Sequence, residues 1–293
     1  MADTMYAELS FDGRVITILG HDTDSTPPDG LVMTDSGIQG WFGAPDLKVS
    51  QTERQTGNGA HDVADGELLY AARTVTMGVA AVGDTRQEVI EATNRLLSAM
   101  GRTVSLRVAD EGSDTYVEGA HASVTFDADW AEGFHTGTLT VVCPRPERLS
   151  TTSQVGLMTP GGDSGLGLVF STSGIIELPI SFGAVSEATN ACTVTNSGTS
   201  AASPLIEVSG DMPDGVTITD VATGRQLAYG QPVRWQPLVL DCRSRTASVA
   251  GVDVTRGLTA RQWPTVPAGG SLSLAVSSGG TGAVKVTCHD TYI

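Results

Sequence analysis

Short apolar runs separated by turn residues dominate the first part of the chain, and they predict β-strands. Residues 5–19, MYAELSFDGRVITIL, contain two such runs on either side of Asp12-Gly13, a dipeptide suited to the two-residue turn of a β-hairpin. A long polar loop over 50–67 comes later, and a loop of that length inside a domain is usually functional or mobile. Further strand-like segments lie at 31–33, 41–49 and 73–82.

One helix is predicted over 84–100, because the apolar residues there recur at helical spacing. Asp84 or Thr85 can cap its first turn, and Gln87 or Glu88 is placed to complete a capping box. The residues expected to face the core are Val89, Ala92, Leu96 and Met100, with Ile90 and Leu97 widening the stripe.

Strands surround this helix, so the first domain is predicted as α+β over 1–148. It would be a β-sheet or split barrel with one helix and a hairpin. The strands after the helix are predicted at 103–110, 115–130 and 137–146.

Residues 149–173 are dominated by Ser, Thr and Gly, and this composition predicts a flexible or partly extended linker between two domains. Beyond it, in 174–293, short apolar runs alternate with turns and no helical period appears. About eight strands at this spacing predict an antiparallel β-sandwich. The predicted strand sequences are IIELPISF, ACTVTN, PLIEVSG, GVTITDV, PLVLDC, ASVAG, SLSLAVS and AVKVTC.

Length and charge indicate how many domains the chain has and which classes of protein it does not belong to. At 293 residues the chain is about twice a usual domain, which agrees with two domains. Its formal net charge of −16 opposes stable nucleic-acid binding, because an acidic surface repels phosphate. The first residues show no signal-peptide pattern and no apolar stretch is long enough to span a membrane, so we expect a soluble protein made in a cytoplasm.

The four cysteines, Cys143, Cys192, Cys242 and Cys288, lie about 50 residues apart and form no C-x-x-C pair. We expect buried thiols that pack as small apolar side chains. One disulfide between two cysteines of the C-terminal half stays open as an alternative.

No catalytic, cofactor or metal site is predicted. Gly162-Asp163-Ser164-Gly165 resembles a protease nucleophile loop, but Leu166 replaces the second glycine and the segment lies in the predicted linker. Asp22, Asp24 and Asp29 lack the turn glycine and final glutamate of an EF-hand. The histidines, which show no metal-ligand spacing, are His21, His61, His121, His135 and His289.

Three aromatic residues of the C-terminal half, Tyr229, Trp235 and Trp263, offer a weak candidate platform for a saccharide. Aromatic faces stack on sugar rings, and sandwich domains often carry such sites. Packing in the core or along a sheet edge explains the same residues equally well.

The order of these segments resembles that of siphophage distal tail proteins over nearly the whole chain. The N-terminal half shows an early hairpin, a long polar loop, and then strand, helix and strands, closing on LTVVCPRPERL. The C-terminal half is similar to the family's galectin-like sandwich. The matching stretches are NSGTSAASPLIEVSG, VTITDVATGRQL, LVLDCRSRTASVAG and QWPTVPAGGSLSLAV.

The resemblance implies a structural virion protein with no catalytic residues. It implies a homo-hexameric ring, assembled in the host cytoplasm, at the distal end of a long non-contractile tail. The ring would join the tail tube and tape-measure proteins to the tail-tip or receptor-binding proteins, and DNA would pass through it without stable binding. We expect the ring contacts to come from 1–148, through exposed hairpin edges and the loop at 50–67. The alternative is a carbohydrate-binding adhesion module that recognises host cell-wall glycan. A secreted hydrolase is disfavoured, because the sequence shows neither a signal-peptide pattern nor a catalytic constellation.

Overall fold

The structure, a computed structural model, describes residues 5–20, 25–50, 52–63, 68–128, 133–160 and 190–293. The chain contacts divide it into two compact units. The N-terminal unit comprises Met1–Thr151 with Tyr292–Ile293, and the C-terminal unit comprises Thr152–Thr291.

The N-terminal unit is built from β-strands and one helix, α1, and the last strand, β8, continues into the C-terminal unit. The elements are β1 Tyr6–Phe11, β2 Arg14–Leu19, β3 Leu31–Gln39, β4 Arg73–Val82, α1 Arg86–Leu97, β5 Thr103–Asp110, β6 Ser113–Phe126, β7 Phe134–Cys143 and β8 Arg148–Met158.

Seven of these strands close into a barrel in the order β1-β2-β3-β4-β7-β6-β5, because β7 pairs with both β4 and β6. All pairings in the barrel are antiparallel except the one between β2 and β3, where Leu19 meets Val32. The first hairpin turns at Asp12 and Gly13, whose φ angles of +45° and +74° both lie in the left-handed region. This is the conformation that Asp-Gly favours, and the predicted hairpin is confirmed.

Helix α1 covers part of the barrel by packing against β4 and β7. Thr85 and Glu88 form a reciprocal capping box at its start, as two of the candidate residues predicted. Val89, Ala92 and Leu96 are buried in the core of the unit. The prediction that Ile90 and Leu97 widen the apolar stripe is wrong, because both side chains are more than 40% exposed, at 44% and 43%.

The C-terminal unit is a sandwich of two antiparallel five-stranded sheets, as the pattern predicted. One sheet has the order β15-β14-β13-β10-β18 and the other has the order β16-β12-β11-β17-β9. The strands are β9 Ala191–Asn196, β10 Leu205–Ser209, β11 Val216–Asp220, β12 Gln226–Tyr229, β13 Leu238–Asp241, β14 Thr246–Val249, β15 Val252–Asp253, β16 Leu258–Arg261, β17 Gly270–Ser277 and β18 Ala283–Tyr292. The galectin-like designation stays a prediction.

Several boundaries differ from the sequence pattern. The predicted strand at 41–49 is wrong, since this segment leaves the barrel and contains only one bridge residue, Leu47. In the segment predicted as a flexible or partly extended linker, residues 149–158 form most of β8, and this strand pairs with β6 at Leu149 and Ser150. Threonine and serine suit a half-exposed strand, so a polar composition did not reveal it. Residues 161–173 of the predicted linker and the predicted strand IIELPISF lie outside the described residues.

All four cysteines are free thiols, with Cys143, Cys242 and Cys288 buried and Cys192 half-buried. Burial raises the pKa of Cys143 and of Cys288 to about 11, so both stay neutral near pH 7. Strand β10 lies between β13 and β18, which places Cys242 and Cys288 roughly two strand spacings apart, about 9–10 Å. A disulfide spans at most about 7 Å between Cα atoms, so this pair needs a backbone movement to form one.

Candidate assembly interface

The segment between β3 and β4, residues 40–72, leaves the barrel and returns to it. We call this segment the arm. Its two sides run antiparallel, with Leu47 opposite Tyr70 and Glu53 opposite Ala60. Near its base the amide of Lys48 donates to the carbonyl of Leu69 at 2.6 Å. Farther out the amide of Arg54 donates to the carbonyl of Gly59 at 3.0 Å. The arm is therefore an extended hairpin-like element whose described parts are 40–50, 52–63 and 68–72.

Beyond Trp41, none of the described residues of the arm is buried. Five of its large apolar side chains are nonetheless exposed, and we call them the arm patch. Its members are Phe42 at 52%, Leu47 at 52%, Leu68 at 39%, Leu69 at 62% and Tyr70 at 36% exposed. Apolar groups held in water on an element without a core of its own are typical of a surface that another protein covers.

The arm also has a concave side of about 490 Å³. Arg54 and Asp62 form an ion pair there, with Nη2 and Oδ2 2.9 Å apart. Apolar and charged groups therefore share this surface, as they do at the rim of a protein interface. The lining includes Leu47, Val49, Arg54, His61, Asp62 and Leu68.

Arg73, the first residue of β4, holds the base of the arm against the barrel. Its Nη1 lies 2.7, 2.9 and 2.6 Å from the carbonyl oxygens of Gly40, Trp41 and Gly43, and its Nε donates to the carbonyl of Pro146 at 2.8 Å. The side chain is 1% exposed. Gly40 has a φ of +78°, and a Cβ there would collide with the carbonyl oxygen of Thr74 in β4.

The early hairpin keeps only one of the two open edges that the sequence pattern suggested. Strand β1 is paired on both sides, with β2 and with β5. Strand β2 meets β3 at one residue pair only, and near this short seam the carboxylate of Asp29 accepts from the amide of Thr17 at 2.7 Å. The hairpin closes the barrel through β1 and leaves the Arg14–Ile18 edge of β2 outside the ladder with β3. The arm adds exposed large apolar side chains, so it is the stronger candidate for contact with a neighbour.

The three candidate saccharide residues have different surroundings. Tyr229 is 8% exposed, and its ring lies against Gly257 in the core of the sandwich. Trp263 is half-buried and packs on the same core. Trp235 alone is open, at 94% exposed, on the loop between β12 and β13. The structure therefore does not join the three rings into one exposed platform.

The loop that carries Trp235 is anchored by the two residues just before it. Val233 pairs with Met212 through two backbone hydrogen bonds, at 2.8 and 3.1 Å. The next residue, Arg234, forms an ion pair with Asp211 at 3.3 Å. An indole held in water by an anchored loop is available to a ligand or a partner.

The other candidate residues form no recognisable centre in the part of the chain that the structure describes. His135 stacks on Phe126, with ring centroids 4.6 Å apart, and the register of β6 and β7 pairs His121 with Val142, so the two histidines are far apart. No group of three His, Cys, Asp or Glu residues suited to a metal occurs within the described ranges. His21, Asp22, Asp24 and Ser164 lie outside them. No helix in the described part of the chain has the length and apolar character to cross a membrane.

No protein-family model and no curated protein matches the chain. Among solved structures the chain is similar to Dit (gp 19.1) of phage SPP1, described as a paradigm of the hub adsorption apparatus in phages that infect Gram-positive bacteria. The TM-score is 0.62 at 13% identity, over 98% of this chain and 99% of that one. It is also similar to chains of the phage P2 baseplate in its activated conformation, with Ca or with Sr, at a TM-score of 0.52, 9% identity and 97% of both chains. The resemblance to a phage distal tail protein is thus confirmed at the level of the fold, over both units.

Proposed function

We propose that this chain is a structural subunit of a phage tail tip, and that copies of it form a ring of six at the distal end of a long non-contractile tail. The observation that carries the proposal is the likeness to a phage hub protein over almost the full length of both chains. The ring would join the tail tube and the tape-measure protein to the receptor-binding apparatus.

The arm is the element that we assign to the contact between neighbouring subunits. A closed ring requires two different surfaces of each subunit to meet, and an exposed arm against a neighbouring barrel satisfies this requirement. The arm patch has apolar area to bury, and the ion pair of Arg54 and Asp62 on the concave side can form part of the rim. The net charge of −16 suits a ring through which DNA passes, because an acidic surface does not retain phosphate.

A charge placed in the arm patch should abolish the ring. Leu69 is 62% exposed, so Leu69→Glu leaves the barrel core intact while it puts a carboxylate into the buried centre of the proposed contact. We expect subunit association to weaken by at least about tenfold, as loss of a central apolar contact does. Light scattering and negative-stain microscopy of the full chain over a range of protein concentrations would measure this.

Val252→Glu is the matched control, since Val252 is 65% exposed in the C-terminal unit. It should assemble like the original chain, and at concentrations too low for assembly both variants should unfold at the temperature of the original chain. A full chain that stays monomeric at every concentration would contradict the ring. If the two variants assembled equally well, the arm would not form the contact between subunits.

Recognition of host cell-wall glycan by the C-terminal unit is a second candidate function, favoured by the exposure of Trp235. A single exposed indole can stack on a sugar ring, and truncation of such an anchor costs about 2 kcal/mol or more. Trp235→Ala should therefore weaken binding to purified cell-wall glycan by more than about tenfold. Val221→Ala, at a 58% exposed position of the same unit, should not.

We also propose that the chain is not an enzyme, because its candidate nucleophile Ser164 lacks the sequence context of a hydrolase. The same glycan samples test this proposal. They should remain intact after incubation, whereas release of soluble fragments would contradict it. Binding without dependence on Trp235 would contradict the assignment of that residue.

A further inference from the structure

Three buried N–H groups at the base of the arm have no hydrogen-bond acceptor. They are Nε1 of Trp41, Nη2 of Arg73 and Nε of Arg148. Trp41 is fully buried, Arg73 is 1% exposed and Arg148 is 8% exposed. A buried donor without an acceptor costs about 1–3 kcal/mol, and more when it is charged, so three in one place call for an explanation.

The three side chains form one cluster, although they come from distant parts of the sequence. The guanidinium carbon of Arg148 lies 5.6 Å from the centre of the Trp41 ring. Arg73 donates to the carbonyl of Trp41 at 2.9 Å and to that of Pro146, two residues before Arg148, at 2.8 Å. We call this group the Arg73–Arg148 cluster.

The cluster carries two positive charges, and no ion pair with a carboxylate is seen for either of them within the described ranges. Other Arg and Lys side chains in the described ranges, such as Arg54, Arg107 and Lys285, do form ion pairs. Burial and the charge of Arg148 lower the pKa of Arg73 to about 10, so both groups are cationic at neutral pH. Cys143, which pairs with Arg73 across β4 and β7, is a neutral thiol because burial raises its pKa. Glu147 is near enough to favour the charged form of Arg73, but it is half-exposed and has contacts of its own.

We infer that the Arg73–Arg148 cluster binds a small inorganic anion. A water molecule could accept only two of the three donors and would bring no charge, whereas an anion accepts several N–H groups and reduces the net charge of the cluster from +2 to +1. The nearby carbonyls of Gly40, Trp41 and Gly43 accept from Nη1 of Arg73, and none of them accepts from the three orphan donors. Because the three donor atoms are buried, only a small occupant can reach them, and chloride is the probe that we choose.

This site is independent of the proposed tail-tip function, but it bears on the arm. Trp41 belongs to the arm, Arg73 begins β4 and Arg148 begins β8. An anion between them ties the root of the arm to two strands of the barrel unit. Binding to the folded chain alone raises stability with the logarithm of the free anion concentration.

The test is the thermal unfolding of the full chain in sodium chloride and in sodium gluconate at equal ionic strength. Chloride should raise the unfolding temperature of the N-terminal unit in a saturable manner, and gluconate, a large carboxylate, should not. Arg148→Met keeps an apolar stem but removes the donor and one charge, so the apparent affinity for chloride should fall at least tenfold. Arg102→Met is the matched control, because Arg102 also lies over an aromatic ring, Phe11 at 5.7 Å, yet is exposed and paired with Asp12.

A second measurement does not depend on whether Arg148→Met folds. Crystals of the original chain grown in bromide should show an anomalous peak among the three orphan donors. The absence of that peak, or identical unfolding in chloride and gluconate, would overturn the inference and leave a buried water as the occupant. Undiminished chloride dependence in a folded Arg148→Met chain would overturn it as well.

Discussion

Replacement of Leu96 by alanine is expected to lower the free energy of unfolding of the N-terminal unit by about 2–5 kcal/mol. Leu96 is fully buried, on the face of α1 that packs against β4 and β7. The truncation removes apolar contacts and leaves a cavity that the closed barrel cannot fill by collapse. Since native domains are stable by only about 5–15 kcal/mol, this is a large fraction of the total.

Denaturant unfolding of the full chain would measure the effect, with hydrogen exchange in β4 and β7 to assign it to the N-terminal unit. Ile90→Ala is the matched control on the same helix, because Ile90 is 44% exposed. Its effect should stay within about 0.5 kcal/mol, as is usual for surface substitutions. Equal effects of the two substitutions would mean that the helix does not present the Val89–Leu96 face to the core.

Replacement of Arg73 by methionine is expected to destabilise the same unit by about 2–4 kcal/mol, although the residue forms no ion pair within the described ranges. Four carbonyl oxygens would lose their donor, those of Gly40, Trp41, Gly43 and Pro146. Removal of a buried charge offsets part of this loss, and burial does lower the pKa of Arg73 to about 10. The cost of the unpaired acceptors is the larger effect, because several are affected at once.

Hydrogen exchange and thermal unfolding would report this change, and the arm should lose protection first because Arg73 holds its base. Arg73→Lys should not restore stability, since an ammonium group cannot replace a planar guanidinium that reaches acceptors on two segments. A methionine variant as stable as the original chain would show that these hydrogen bonds contribute no net stability. Full recovery by lysine would show that charge, rather than the geometry of the guanidinium, is what matters.

If the arm forms the contact between subunits, Arg73 should also affect assembly. The arm has few internal hydrogen bonds and no buried residue beyond Trp41 within its described part. Its orientation therefore depends on its attachment to the barrel. A loose arm would have to be ordered during association, and that ordering reduces the affinity of one subunit for the next.

Local signals predicted the local elements well. Asp12-Gly13 specified the first turn because both residues adopt positive φ at low cost. Thr85 and Glu88 specified the start of α1 because each satisfies a backbone donor that the helix leaves free. Strand β4 was predicted at its observed bounds from one apolar run, 73–82.

The pairing of strands from distant parts of the chain could not be predicted from local signals. Closure of the barrel depends on β7 meeting both β4 and β6, and no local pattern encodes two partners for one strand. The polar sequence of β8 concealed a strand that a partner in β6 stabilises. Ile90 and Leu97 fit the helical period, yet the direction of packing left them in solvent.

The candidate sites also divide into features that the local sequence predicted and features that only the fold revealed. Sequence identified 50–67 as an unusual loop and Trp235 as an aromatic of interest, but it grouped Trp235 with Tyr229, which the sandwich buries. Nothing in the sequence singled out Arg73 and Arg148. Two arginines 75 positions apart are ordinary in a sequence, and only the fold shows that both are buried. The arm patch emerged only when neighbouring apolar residues proved to have no core to enter.

The amino-acid sequence by itself determined where strands, turns and the helix form, because hydrogen bonding and side-chain periodicity act over a few residues. It also determined the two-part organisation and the acidic charge. The tertiary structure alone decided which strand edges are paired, which apolar residues stay in water, and which charges are enclosed without a partner. These properties depend on segments far apart in the chain, and burial changes the free energy of a side chain only after the fold has placed its neighbours.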